Sequence, residues 1–124
     1  MELAQARYAD VAVISVQGRV DHANAEQFKA ALWPALVACK PGGDQLVLDL
    51  TGLEYISSAG LRVLMLAARE VKAQNGALVV CGLQPVVKEI FEISRFNIVF
   101  RVYPDQRRAL AELSDRAAAA HFLA

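Results

Sequence analysis

Ser57 and Ser58 are the residues of this chain best placed for chemistry, because they stand side by side where an apolar link gives way to a helical stretch, in the run Ser57-Ser58-Ala59-Gly60-Leu61. Backbone N–H groups in the first turn of a helix lack intrahelical partners, and the helix dipole adds partial positive charge there. A phosphoserine carries about 1.5 to 2 negative charges at neutral pH and takes such donors as partners. Phosphorylation of Ser57 or Ser58 is therefore one expectation. The other is a plain N-cap, whose hydroxyl satisfies one orphan donor for about 1 kcal/mol. Two adjacent serines allow both roles, one capping while the other points outward. Gly60 weakens a helix by about 1 kcal/mol relative to alanine, a cost that makes sense where another backbone or a ligand approaches closely.

Other chemistry finds little support. A nucleophile or general base needs an oriented partner, and the only histidines are His22, in a loop, and His121, in the tail. Neither has neighbours with metal-ligand spacing. Cys39 and Cys81 are far apart, without CxxC spacing, and read as buried free thiols. Neither GxxxxGK[ST] nor GxGxxG occurs, so no nucleotide site has a motif behind it. Asp49, at the end of a central strand, would be a phosphoryl acceptor in a two-component receiver. That chemistry needs a Mg²⁺ cradle of further carboxylates, whereas Asp10 and Asp21 are isolated. Asp49 reads better as an anchor for the strand-to-loop step. The residues point to no enzyme, no cofactor and no metal.

Composition limits the partners. With 124 residues, 56% of them hydrophobic, the chain suffices for one domain with its own core. A formal charge of zero builds in no general attraction for nucleic acid or anionic membrane. No apolar run approaches the ~18 residues of a membrane span, and Met1 to Arg7 lacks the apolar core of a leader, so no membrane insertion is expected. Free thiols suit a reducing cytoplasm.

The elements that position the serines follow from periodicity. Leu3 to Tyr8 and Val11 to Gln17 read as strands joined by a tight turn at Ala9-Asp10. Asn24 and Gln27 resemble a capping box opening a helix whose apolar stripe is Phe28, Leu32 and Leu36, with a kink or break expected near Trp33 because of Pro34. The unalternating run Gln45 to Leu50 predicts a central strand covered on both faces, with Gly52 to Ile56 as a connection. A helix from about Ser58 to Gln74 follows, with Leu61, Leu64, Met65, Ala68 and Val71 inward, then a strand at Ala77 to Cys81. Pro85 opens a third helix, Asn97 to Val102 reads as a short strand, and Asp105 caps a final helix before an alanine-rich tail. The fold class is α/β, a mixed sheet of four or five strands with helices packed mainly on one face.

The run from Asp49 through Thr51 and Tyr55 to Ser57-Ser58-Ala59-Gly60-Leu61 resembles the signature of the bacterial anti-sigma-factor antagonists, the STAS-domain family. The likeness extends to Gly18-Arg19-Val20-Asp21 and to Phe91-Glu92-Ile93-Ser94-Arg95-Phe96, nearly the whole chain. It implies a single STAS-like domain over residues 1–124. By motif position it implies Ser58 as the acceptor for an anti-sigma factor that is itself a serine kinase, with a serine phosphatase resetting the switch. The unphosphorylated form would bind the anti-sigma factor and free the sigma factor. Asp21 and His22, in the loop after the second strand, together with Ser57, Ser58, Ala59, Gly60 and Arg62, are the implied partner contacts. Where the family often has aspartate before the acceptor, this chain has Ser57, a difference that bears on kinase recognition rather than on fold. The family also includes unphosphorylated binding subunits of membrane transport complexes, the alternative reading.

Overall fold

The computed structural model describes residues 1–124. Glu2–Tyr8 (β1) and Val11–Val20 (β2) form an antiparallel hairpin, turned at Ala9 with φ 54°. β2 then pairs in parallel with Gln45–Asp49 (β3), which pairs in parallel with Leu78–Cys81 (β5), and β5 with Val102–Tyr103 (β6). The strand order is β1-β2-β3-β5-β6, with β3 in the interior as its unbroken apolar run requires. A sixth strand, Leu53–Ile56 (β4), lies in the segment read as a connection. It is short, and it forms because β2 runs past the end of β3 and offers Gly18, Arg19 and Val20 as a second parallel partner. The Arg19 guanidinium lies over the Tyr55 ring, 4.6 Å from its centre, and fastens this pair.

Helices cover both faces, unequally. Ala25–Val37 (α1), Ser58–Ala73 (α2), Pro85–Ile93 (α3) and Phe96–Val99 (α4) close a core of 23 buried residues, in which the expected stripe Phe28, Leu32 and Leu36 is fully buried. Gln106–Leu113 (α5) and Asp115–Leu123 (α6) cover a smaller core of eight around Val13, Val47 and Val79. This two-sided burial is why β3 shows no alternation.

Four local expectations change in the fold. α1 continues through Pro34 without a break, since Pro34 and Ala30, whose carbonyl loses its donor, both lie on the exposed side and that carbonyl is not buried without a partner. Asn24 occupies the N-cap of α1 without capping it; its Oδ1 accepts from the Asp21 backbone N–H instead, so the capping box is absent. Residues 96–99 coil into α4 rather than extend, because Phe96 and Phe100 are drawn onto Phe91, with ring centres 5.7 and 6.4 Å away, and only Val102 and Tyr103 remain as strand. The buried side of α2 is Gly60, Val63, Leu64, Ala67 and Val71, turned from the expected stripe so that Leu61, Met65 and Ala68 sit at its margin.

A polar clamp joins the smaller layer to the sheet. Asp10, in the β1–β2 turn, accepts from the Ser114 hydroxyl at 2.6 Å and from Gln45 Nε2 at 2.9 Å. The Ser114 bond, foremost, holds the Asp10 carboxyl below its ordinary range. A carboxylate with a depressed folded-state pKa contributes stability above its unfolded pKa and loses it as pH falls through the folded value. Asp10→Asn should therefore lower the melting temperature at pH 7, and the deficit should shrink as pH drops below about 4. Melting curves from pH 7 to 2 check this; a deficit independent of pH would refute the clamp's ionic character.

Candidate functional site

The two serines take different jobs. Ser57, with extended backbone, is the N-cap of α2, and its Oγ accepts from the Gly60 N–H at 3.3 Å. The Ser57 N–H donates to the Val20 carbonyl at 2.9 Å, which pins the helix start to the end of β2. Ser58 is the first helical residue, exposed, with no intramolecular partner for its hydroxyl. Serine and aspartate are comparable N-caps, so Ser57 meets the structural need that aspartate meets elsewhere. Ser57→Ala should then cost about 1 kcal/mol and Ser58→Ala almost nothing, measured by urea denaturation. Equal losses would contradict this division.

Because β2 ends beside the start of α2, the β2–α1 loop is carried next to Ser58. A hollow of about 730 Å³ lies there between α1 and α2, lined by His22, Glu26, Lys29, Ser58, Ala59 and Arg62 among others. Of the residues singled out from the sequence, His22, Ser58, Ala59 and Arg62 meet at this hollow. Asp21 does not: its Oδ1 accepts from the Ala23 and Asn24 N–H groups at 2.9 and 3.2 Å, so it shapes the loop that presents His22. Nor does Gly60 face outward. It is buried, and a Cβ there would stand 2.6 Å from Ile56 Cγ1 and 2.8 Å from Val20 Cγ1, so the close approach is that of β2 and β4.

Glu26, Lys29 and Leu66 were not anticipated. They are unremarkable helix-surface positions in sequence, and only the packing of α1 against α2 brings them beside Ser58. The cations there have no anionic partner, since the ion pairs of the chain are Arg7–Asp44 and Arg101–Glu112. The first turn of α2 holds no acidic residue either. Glu26 is the one carboxylate in the lining, set against Lys29 and Arg62, so with the dipole of α2 the place keeps a small positive excess.

Asp49 anchors the strand-to-loop step. Its Oδ1 accepts from the Thr51 N–H at 2.9 Å and the Thr51 hydroxyl at 2.6 Å, and its Oδ2 from Gln106 Nε2 at 2.6 Å. Both oxygens are engaged, which leaves the carboxylate poorly disposed as a receiver's phosphoryl acceptor. Cys39 and Cys81 are buried, the latter's thiol pushed up to about 12 chiefly by burial, with the Asp49 charge adding to it. No helix is long and apolar enough to cross a membrane.

Comparison with known proteins places this geometry. The model of the STAS domain matches residues 3–109. A Bordetella bronchiseptica protein named as an anti-sigma factor antagonist, BtrV, is 41% identical over 111 residues, covering 90% of this chain and 93% of the relative. Among solved structures, an anti-sigma-factor antagonist (STAS) domain protein from Planctomyces limnophilus superposes with TM-score 0.80 at 22% identity, covering 90% of this chain and 97% of its own. The Bacillus cell fate determinant SpoIIAA in its phosphorylated form superposes with TM-score 0.64 at 19% identity, covering 91% and 98%. At those identities the structures speak for the fold. The family match over most of the chain and the 41% relative carry the rest: this chain belongs to the STAS-domain family of anti-sigma factor antagonists.

Proposed function

We propose that this chain is a partner switch: unphosphorylated, it binds an anti-sigma factor that is also a serine kinase, and phosphorylation of Ser58 by that kinase releases it. A serine phosphatase restores the binding form. The observation that carries the reading is the division of labour at the start of α2, where Ser57 caps the helix and leaves the Ser58 hydroxyl exposed beside unpaired cations. The name of the Bordetella relative supports antagonism of an anti-sigma factor, and the phosphorylated form of SpoIIAA supports a modified state in this fold.

The mechanism is gating by charge. His22, Ala59 and Arg62 form the contact around Ser58, with Asp21 shaping the loop that holds His22 in place. A phosphate placed there adds about 2 negative charges to a surface that must be desolvated on binding, a penalty of several kcal/mol. Arg62, one turn beyond Ser58 and with no ion-pair partner, is placed to pair with it. The phosphate is accommodated at the helix start, so the surface changes more than the shape.

The test is incubation with ATP and the cognate anti-sigma kinase, followed by intact mass and peptide mapping. One phosphate on Ser58, loss of kinase binding, and no incorporation with ATP alone are the expected results. Incorporation without the kinase, or a phosphate on Ser57, would refute the assignment. A purified chain that binds no anti-sigma factor in either state would favour the transport-subunit alternative.

A further inference from the structure

A second concavity, of about 700 Å³, lies on the other flank of α2 and shares no lining residue with the hollow at Ser58. Positions 59, 63 and 66 of α2 look toward the Ser58 hollow, whereas 65, 68 and 72 look into this groove, as their angular spacing on a helix requires. Its opposite wall is α4. Seven of its eleven lining residues are hydrophobic, among them Met65, Ala68, Leu78 and Phe100, which makes the floor apolar. The lip is apolar too, and open: Ile98 is 74% exposed and Val99 41%. Two isolated exposed side chains would mean little, but these border a groove and continue its surface.

The charges in the groove are of one sign. Arg69 and Lys72, on the same side of α2 as Met65, line it, and no carboxylate does. Neither cation has an ion-pair partner in the chain. A small-molecule site would converge a few polar groups inside the cavity, whereas the polar side chains here, Arg69, Lys72 and Asn75, are all exposed and none is buried in the floor. An apolar groove between two helices, with unpaired cations on its rim, has the complementarity of helix-in-groove recognition.

We propose that the groove between the second half of α2 and α4 docks an acidic amphipathic helix of a protein partner, its apolar stripe on Met65, Leu78 and Ile98 and its carboxylates on Arg69 and Lys72. This contact is independent of Ser58. A partner seated there would stay bound in both phosphorylation states, giving the switch a constitutive tether.

The probe is a labelled amphipathic peptide of about 16 residues, long enough for a helix, with leucine at i, i+3, i+4 and i+7 and glutamate on both flanks. Its control has lysine at every glutamate. Fluorescence anisotropy should show the acidic peptide binding at least about tenfold more tightly than the lysine peptide. The pair Arg69→Glu and Lys72→Glu should reverse that preference, and Ile98→Asp should abolish binding. Ser58→Asp should leave it unchanged, which separates failure here from failure of the switch. All substituted side chains are exposed, so the fold is retained, and amide shifts should map to α2 and α4. Equal binding of the two peptides, no binding to the wild type, or shifts elsewhere would overturn the proposal. So would a dimer in sedimentation that Ile98→Asp dissociates, since the occupant would then be a second copy.

Discussion

Ser58→Asp is expected to weaken binding to the anti-sigma kinase by roughly ten- to a hundredfold while the protein remains folded. Aspartate supplies about half the charge of a phosphoserine, so it reproduces part of the release. It also suits the position, because an anion in the first turn interacts favourably with the helix dipole, and α2 now has none there. Stability should hold or rise by a few tenths of a kcal/mol. Ser58→Ala should bind as tightly as the unmodified chain and accept no phosphate, remaining bound in the presence of ATP. Ser57→Ala inverts the pattern: it loses stability through the cap but keeps the acceptor. Calorimetric titration of the four proteins into the kinase, with and without ATP, separates these cases. Tight binding by Ser58→Asp, or release of Ser58→Ala by ATP, would end the claim that Ser58 is the switch.

A large loss of stability from a one-methyl change is expected at Gly82, which does not line the hollow at Ser58. Gly82 has φ +75°, where a side chain is strained, and a Cβ there would collide with Thr51 Oγ1 and come within 3.2 Å of Asp49 Oδ1. The Thr51 hydroxyl donates a hydrogen bond to that carboxylate oxygen, and the other Asp49 oxygen accepts from Gln106, so yielding in any direction disturbs the strand end or the anchor of α5. Left-handed strain of about 1–3 kcal/mol and overpacking of similar size make Gly82→Ala cost about 2–4 kcal/mol. For a domain of this size the melting temperature should fall by about 10 °C. Adding Thr51→Ala removes the blocking hydroxyl and should recover part of the loss, a non-additivity that marks direct contact. A loss below about 0.5 kcal/mol would contradict this account of the Asp49–Thr51 pair.

That pair illustrates what a sequence pattern conceals. Asp49 and Thr51 belong to the same run as Ser58 and suggest chemistry by proximity in the chain, yet they tie the end of β3 to α5 and crowd Gly82. Their role depends on Gln106, 57 positions away, which no local pattern announces.

By itself the sequence determined whatever depends on near neighbours. The stripe Phe28, Leu32 and Leu36 marked the buried side of α1, the unalternating run before Asp49 marked an interior strand, and Pro85 and Asp105 marked helix starts. The serine pair at a helix start, and the family likeness around it, were equally legible. Tertiary structure decided the rest. β4 exists because β2 outruns β3, and residues 96–99 coil because three phenylalanines meet. Which serine caps and which is free was settled by the path of the chain off β2, and the residues around Ser58 come from two helices whose surfaces look ordinary until they pack. Periodicity reports burial along one element, whereas a pairing partner or a shared surface depends on residues tens of positions apart, and that information arises only when the core closes.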